Sequence, residues 1–183
     1  MAAKVRGNIL QLFASVLAGS GLAPKQAELV KDVIKRRTGK DVSQLSEQDF
    51  YSCDIEQEIE VELSKLRGAI SMRGLMRLAG TKVYPDYVIP TMQADNKLPS
   101  GLVVPGNPTP LLKFEADGFL YFHEGVQPRK FIELKQKRIV VDAKSPHNRQ
   151  FMEGVFEGIC NLTVGKRKSV ISSTEDFIFT IEW

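Results

Sequence analysis

The chain has 183 residues, 43% of them hydrophobic and 26% charged, with a net charge of +3. That composition suits one globular domain, with or without a helical appendage, whose core needs no disulfide staples. No apolar run approaches the ~20 residues of a membrane span, and the small positive charge permits nucleic acid as a partner without requiring it.

Residues 1–80 read as a helical subdomain. Helical periodicity across Val5, Ile9, Leu12, Phe13, Val16 and Leu17 predicts an amphipathic helix from about Lys4 to Ala18. Lys4 and Arg6 give this start some signal-peptide character, but the periodicity favours the helix. A second helix opens at Pro24 and closes in Lys35, Arg36 and Arg37 before Gly39, so the two form a helical hairpin. Ser46 with Asp49 resembles a capping box ahead of a long helix. Ile55, Ile59, Leu63, Leu66 and Ile70 share one face of it at helical spacing. Residues 54–63 also alternate strictly, as a strand would. Their glutamates are good helix formers and poor strand formers, which decides for helix. The charge then turns from acidic to basic at Lys65, Arg67, Arg73, Arg77 and Lys82.

Six of the nine prolines fall between Pro85 and Pro110. Proline fixes φ and donates no N–H, so residues 81–110 are expected to be an extended arm. Short extended pieces are expected at 83–89 and 102–104. A loop of this length in a compact domain is usually functional or ordered by a partner. The expected contact residues are Pro85, Pro90, Leu98, Pro99, Leu102, Pro105 and Pro108, with Arg73 and Arg77 from the preceding helix.

Residues 111–183 read as a β-β-β-α-β sheet domain. Asp117-Gly118 between two apolar runs predicts a hairpin over 111–123. Residues 131–134 and 138–141 are further strand material. Ser145-Pro146 predicts the start of a helix carrying Phe151, Met152, Val155, Phe156, Ile159 and Leu162. Gly154 and Gly158, four apart, mark close packing of that helix on the sheet. Residues 176–183 alternate, with Phe177, Phe179, Ile181 and Trp183 on one face of a final strand. The fold class is therefore α+β: a helical hairpin plus a long helix, then a mostly antiparallel sheet covered by one helix, then a C-terminal strand.

Chemistry is thinly marked. Cys53 and Cys160 lie far apart with no C-x-x-C, which predicts free thiols in a reducing, cytoplasmic setting. His123 and His147 have no second ligand at metal spacing and read as surface or loop residues. There is no P-loop, G-x-G-x-x-G or G-x-S-x-G.

One constellation carries a resemblance. Pro85-Asp86 entering an apolar run, then Glu133 and Lys135 in an E-x-K, resembles the core motif of the restriction-endonuclease-like superfamily. The resemblance implies Mg2+ held by Asp86 and Glu133, with Asp117 as another candidate acid and Lys135 steadying charge. The basic stretches 129–130, 135–138 and 166–168, with Tyr121, Phe122 and Phe131 nearby, allow a nucleic-acid-binding module instead.

The C-terminal half is similar, in its hairpin 111–123, helix 146–162 and final strand, to small tail-completion and head–tail joining proteins of tailed phages. That likeness implies a non-enzymatic subunit without a cofactor. It would assemble with its own copies and other subunits, cytoplasmic before assembly and in the virion afterwards.

Overall fold

The computed structural model describes residues 2–67, 69–166 and 168–183. Arg167 of the third basic stretch lies outside the described residues, as do the side chains of Arg67 and Ile70. The fold is α+β, as expected. Its elements are β1 (Lys4–Arg6), α1 (Gly7–Ala18), α2 (Pro24–Thr38), β2 (Phe50–Ser52), α3 (Asp54–Arg67) and α4 (Ala69–Lys82). A π-helix (Val83–Val88) and α5 (Ile89–Ala94) follow. The remainder is α6 (Thr109–Phe122), β3 (His123–Glu124), β4 (Lys130–Lys135), β5 (Arg138–Asp142), α7 (Arg149–Thr163), β6 (Val170–Ser173) and β7 (Ile178–Glu182).

The helical hairpin forms, but residues 4–6 leave it. They pair as β1 with β2 and β3 in a short antiparallel sheet of order β2-β1-β3. Strands of two or three residues are too short to show a period, so nothing in the sequence announced this sheet. Residues 54–63 are helical. Ile55, Ile59 and Leu63 are buried as one row, whereas Leu66 is exposed. The expected face therefore ends one turn early. Ser46 caps no helix; its hydroxyl donates to Asp49 Oδ2 at 3.1 Å.

The largest correction concerns the prolines. Residues 83–94 are helical, not extended. The Ile89 N–H bonds the Tyr84 carbonyl, five residues back, passing over Pro85. Such a widened turn carries a proline without ending the helix. Pro90 sits in the first turn of α5, where its missing N–H costs nothing. The segment is also not a free arm. Leu102 and Pro108 are buried, and Leu98 packs on the core. The Trp183 indole donates to the Gly106 carbonyl at 3.1 Å, and the Gly106 N–H bonds the Thr163 carbonyl at 2.8 Å. Arg77 is held by Glu153 and Glu157 of the same chain. Pro90, Pro99, Pro105 and Arg73 are exposed.

The second correction is the 111–123 hairpin, which is α6. Leu111, Leu112, Glu115, Ala116 and Phe119 are buried at helical spacing. A D-G pair can sit in a helix interior when the flanking period is nearer 3.6 than 2, and tertiary burial overrides the turn preference.

The four-stranded antiparallel sheet has order β4-β5-β7-β6. Its register sets Ile139 opposite Ile181 and Val141 opposite Phe179, all buried. Helix α7 covers that face, with Phe156 and Phe179 edge to face at 5.0 Å. The cap of α7 is Asn148 rather than Ser145; its Oδ1 accepts from the Gln150 and Phe151 N–H groups. Gly154 does mark a close approach, but to α4 and not to the sheet. A Cβ there would lie 2.0 Å from the Arg77 carbonyl oxygen. No helix among the described residues is long and apolar enough to cross a membrane.

Candidate ligand site

A cavity of about 580 Å3 lies between α1, the π-helix with α5, α6 and α7. Half-buried apolar side chains line it from three sides: Ile9 and Leu12 on α1, Val88 and Met92 around α5, Phe114 and Phe122 on α6. Five acidic, basic or imidazole side chains border it deeper in the fold: Glu56, Glu115, His123, Arg129 and His147, each under a tenth exposed.

His123 ends α6. Its extended backbone turns the chain into β3, where it pairs with Val5. Its ring folds back over the last helical turn, stacked on Phe119 at 4.3 Å. Nδ1 lies 2.8 Å from the Phe119 carbonyl, one of the oxygens a helix end leaves without an N–H partner. A carbonyl only accepts, so Nδ1 carries the hydrogen and Nε2 is a lone pair. Nε2 lies 2.8 Å from Nε2 of His147, which must therefore donate. His147 Nδ1 then faces Glu56 Oε2 at 2.5 Å, with one proton between them. The chain runs Glu56–His147–His123–Phe119 carbonyl with every hydrogen assigned. Burial, then the neighbouring His147, lowers His123 to about 3, so it stays neutral.

Helix α3 explains the position of His147. Glu56 and Glu60 are one turn apart. Glu56 takes His147, and Glu60 accepts from the Asn148 side chain at 2.5 Å. Two carboxylates one turn apart thus hold the two residues that lead into α7.

Arg129 and Glu115 form the other buried polar group. Arg129 Nη2 donates to Glu115 Oε1 at 2.7 Å and Nε to Oε2 at 3.0 Å, a fork-to-fork pair. Nη1 donates to the Ala143 carbonyl at 3.1 Å, and the guanidinium lies 3.8 Å over the Phe119 ring. Arg129 is thus a buried structural cation and not part of an exposed basic stretch.

His147 lies in the loop before α7, within the expectation of surface or loop, but neither histidine is at the surface. Spacing could not reveal the pair, since the two residues are 24 apart in sequence and meet through β3 and the turn before α7. The one available signal was the apolar sequence around each, Phe119 to Phe122 and Phe151 to Met152.

The nuclease-like acids Asp86, Asp117 and Glu133 form no three-carboxylate group that could hold a metal ion. Asp86 is in the π-helix and Asp117 in α6, so the strand and hairpin that the resemblance implies are helices. Glu133 lies on β4, paired with Lys135 and Arg138. No group of three or more His, Cys, Asp or Glu among the described residues could hold a metal ion. Cys53 and Cys160 are buried free thiols, and burial raises them to about 12 and about 11.

No family profile and no curated protein matches the chain. Among solved structures it is similar to the protein of a study headed "Modulating Heme Redox Potential Through Protein-Induced Porphyrin Distortion". The TM-score is 0.60 at 12% identity, over 97% of this chain and 99% of that one. The likeness is one of fold. Of the elements behind the phage comparison, the hairpin is α6; the helix and the final strand are present.

Proposed function

We propose that this domain is a ligand-binding module that holds one mostly apolar small molecule in the cavity between α1, α5, α6 and α7. The observation that carries this reading is the cavity itself. Its volume falls within the ~300–1,000 Å3 of small-molecule sites. Apolar walls with a few convergent polar groups are the usual composition of such sites, and π-helical turns recur at functional positions.

The solved neighbour concerns heme, but the residues here do not fit a haem. An axial imidazole needs a free ring nitrogen. All four ring nitrogens of His123 and His147 are engaged. Arg129 is the sole cationic side chain among the described lining residues besides the histidines, and Glu115 neutralises it. Nothing is left to meet the propionates.

Gly118 offers the test. It lines the cavity from α6, and a Cβ there meets nothing within 4 Å. Gly118→Leu would fill the space without disturbing packed neighbours. Replacing an internal helix glycine also adds about 0.5–1 kcal/mol of stability. The expected result is a higher Tm together with loss of Nile red binding, followed by dye fluorescence. Undiminished dye binding in this variant would remove the proposal.

A further inference from the structure

We infer that Tyr84 is the hydrogen-bonding anchor of the cavity and that its ligand is uncharged, an apolar chain or ring bearing one hydroxyl or carbonyl group. This rests on the ligand-binding reading above and narrows it to a chemical class.

The charge argument comes first. The cavity borders carry two buried polar groups, and each is neutral as a whole. Arg129 and Glu115 neutralise each other. Glu56 and His147 share a single proton, so together they are neutral whichever of them holds it. His123 is a neutral donor to one side and acceptor on the other. No cation remains for a carboxylate or phosphate, and the unpaired Glu56 Oε1 and Asn8 Oδ1 belong to groups with no net charge to offer an amine. A charged ligand would be buried without a counter-charge, the most expensive kind of burial.

Tyr84 supplies the polar contact. The π-helix places it on the cavity wall, 7% exposed. Its hydroxyl has no hydrogen-bond partner among the described residues. Tyr87, one turn on, differs: its hydroxyl donates to the Ser15 carbonyl at 3.2 Å and is spent. The Tyr84 oxygen is not among the fully buried unpaired polar atoms, so it reaches open space, and on a cavity wall a hydroxyl without a protein partner is open to a ligand. Burial, then Glu115, raises the Tyr84 phenol well above its ordinary value, so it remains an O–H that can donate. The π-helix that carries Tyr84 also brings Val83, Tyr87 and Val88 to the cavity wall.

The test is displacement of Nile red by decan-1-ol, 2-decanone, decanoate and decane, with wild type and Tyr84→Phe. Decanol and decanone should displace the dye from wild type, and decanoate should be at least tenfold weaker. In Tyr84→Phe the advantage of decanol over decane should fall by roughly five- to tenfold, the worth of one neutral hydrogen bond. Decanoate binding as tightly as decanol overturns the charge argument, on wild type alone and without any variant. An unchanged decanol-to-decane ratio in a folded Tyr84→Phe overturns the anchor. Displacement by none of the four, with no Nile red bound at the outset, overturns the ligand-binding reading itself.

Discussion

Two polar groups border one cavity, and they are built differently. In the Arg129–Glu115 pair the charges cancel and the contacts are bidentate; a backbone carbonyl and an aromatic face complete the surroundings of the guanidinium. In the Glu56–His147–His123 chain every imidazole nitrogen is used, but Glu56 Oε1 is buried with no partner. Asn8 Oδ1, also on the cavity lining, is likewise buried and unpaired. A closed pair organises structure. A chain with spare acceptors and a shared proton can respond to what lies beside it. The contrast separates what holds α6 against the β4–β5 hairpin from what faces the ligand space.

The largest expected effect breaks the closed pair. Glu115→Leu leaves the Arg129 guanidinium, 1% exposed, without its counter-ion. Stranding one member of a buried ion pair costs about 3–5 kcal/mol. The double variant Glu115→Leu/Arg129→Met should recover most of that loss, because the desolvation cost leaves with the charges. Urea unfolding of the three proteins measures both. A double variant no more stable than the single would show that the pair contributes more than mutual neutralisation.

The next effect is set by the other group. In the unfolded chain an imidazole titrates near 6.5, whereas folded His123 does so only near 3. Between those values the unfolded state binds more protons, so stability rises with pH. The contribution is complete above 6.5 and is lost as pH falls toward 3, by up to about 1.4 kcal/mol per pH unit. Unfolding free energies measured between about pH 6.5 and pH 5 stay above the ordinary carboxylate range, and Glu60, raised by burial, is common to wild type and variant. His123→Phe should flatten that slope; an equal slope in the variant would assign it elsewhere.

Both polar groups were hidden in the sequence for the same reason. Glu56 is 91 residues from His147, and Glu115 is 14 from Arg129. Only the assembled topology brings them together. What the sequence did expose was short-range: the helical hairpin, the β4–β5 strands, the row Ile55–Ile59–Leu63 and the alternating last strand. Where it misled, a strong local signal was overruled. Asp117-Gly118 favours a turn, yet burying five side chains of α6 outweighs it. Pro85 ordinarily breaks a helix, yet a π-turn absorbs it. The candidate site was illegible because its decisive residues carry no spacing of their own.

The smallest expected effect sharpens the comparison by moving the same chemistry to the surface. Arg77 on α4 donates to Glu157 at 2.9 Å and Glu153 at 3.2 Å on α7. It is a charge cluster like Arg129–Glu115, but the Arg77 side chain is 42% exposed. Water solvates the separated charges well, and salt screens them, so such pairs are worth about 0–1 kcal/mol. Glu153 also accepts from the Ser173 hydroxyl, so it keeps a partner when the arginine is removed. Arg77→Ala should therefore cost less than about 1 kcal/mol in urea unfolding, and less again at high salt. The α4–α7 crossing beneath it is held by Gly80 and Gly154, whose backbones meet where no Cβ fits. A loss approaching that of Glu115→Leu would mean that the exposed cluster, not the glycine contact, sets the crossing of the two helices.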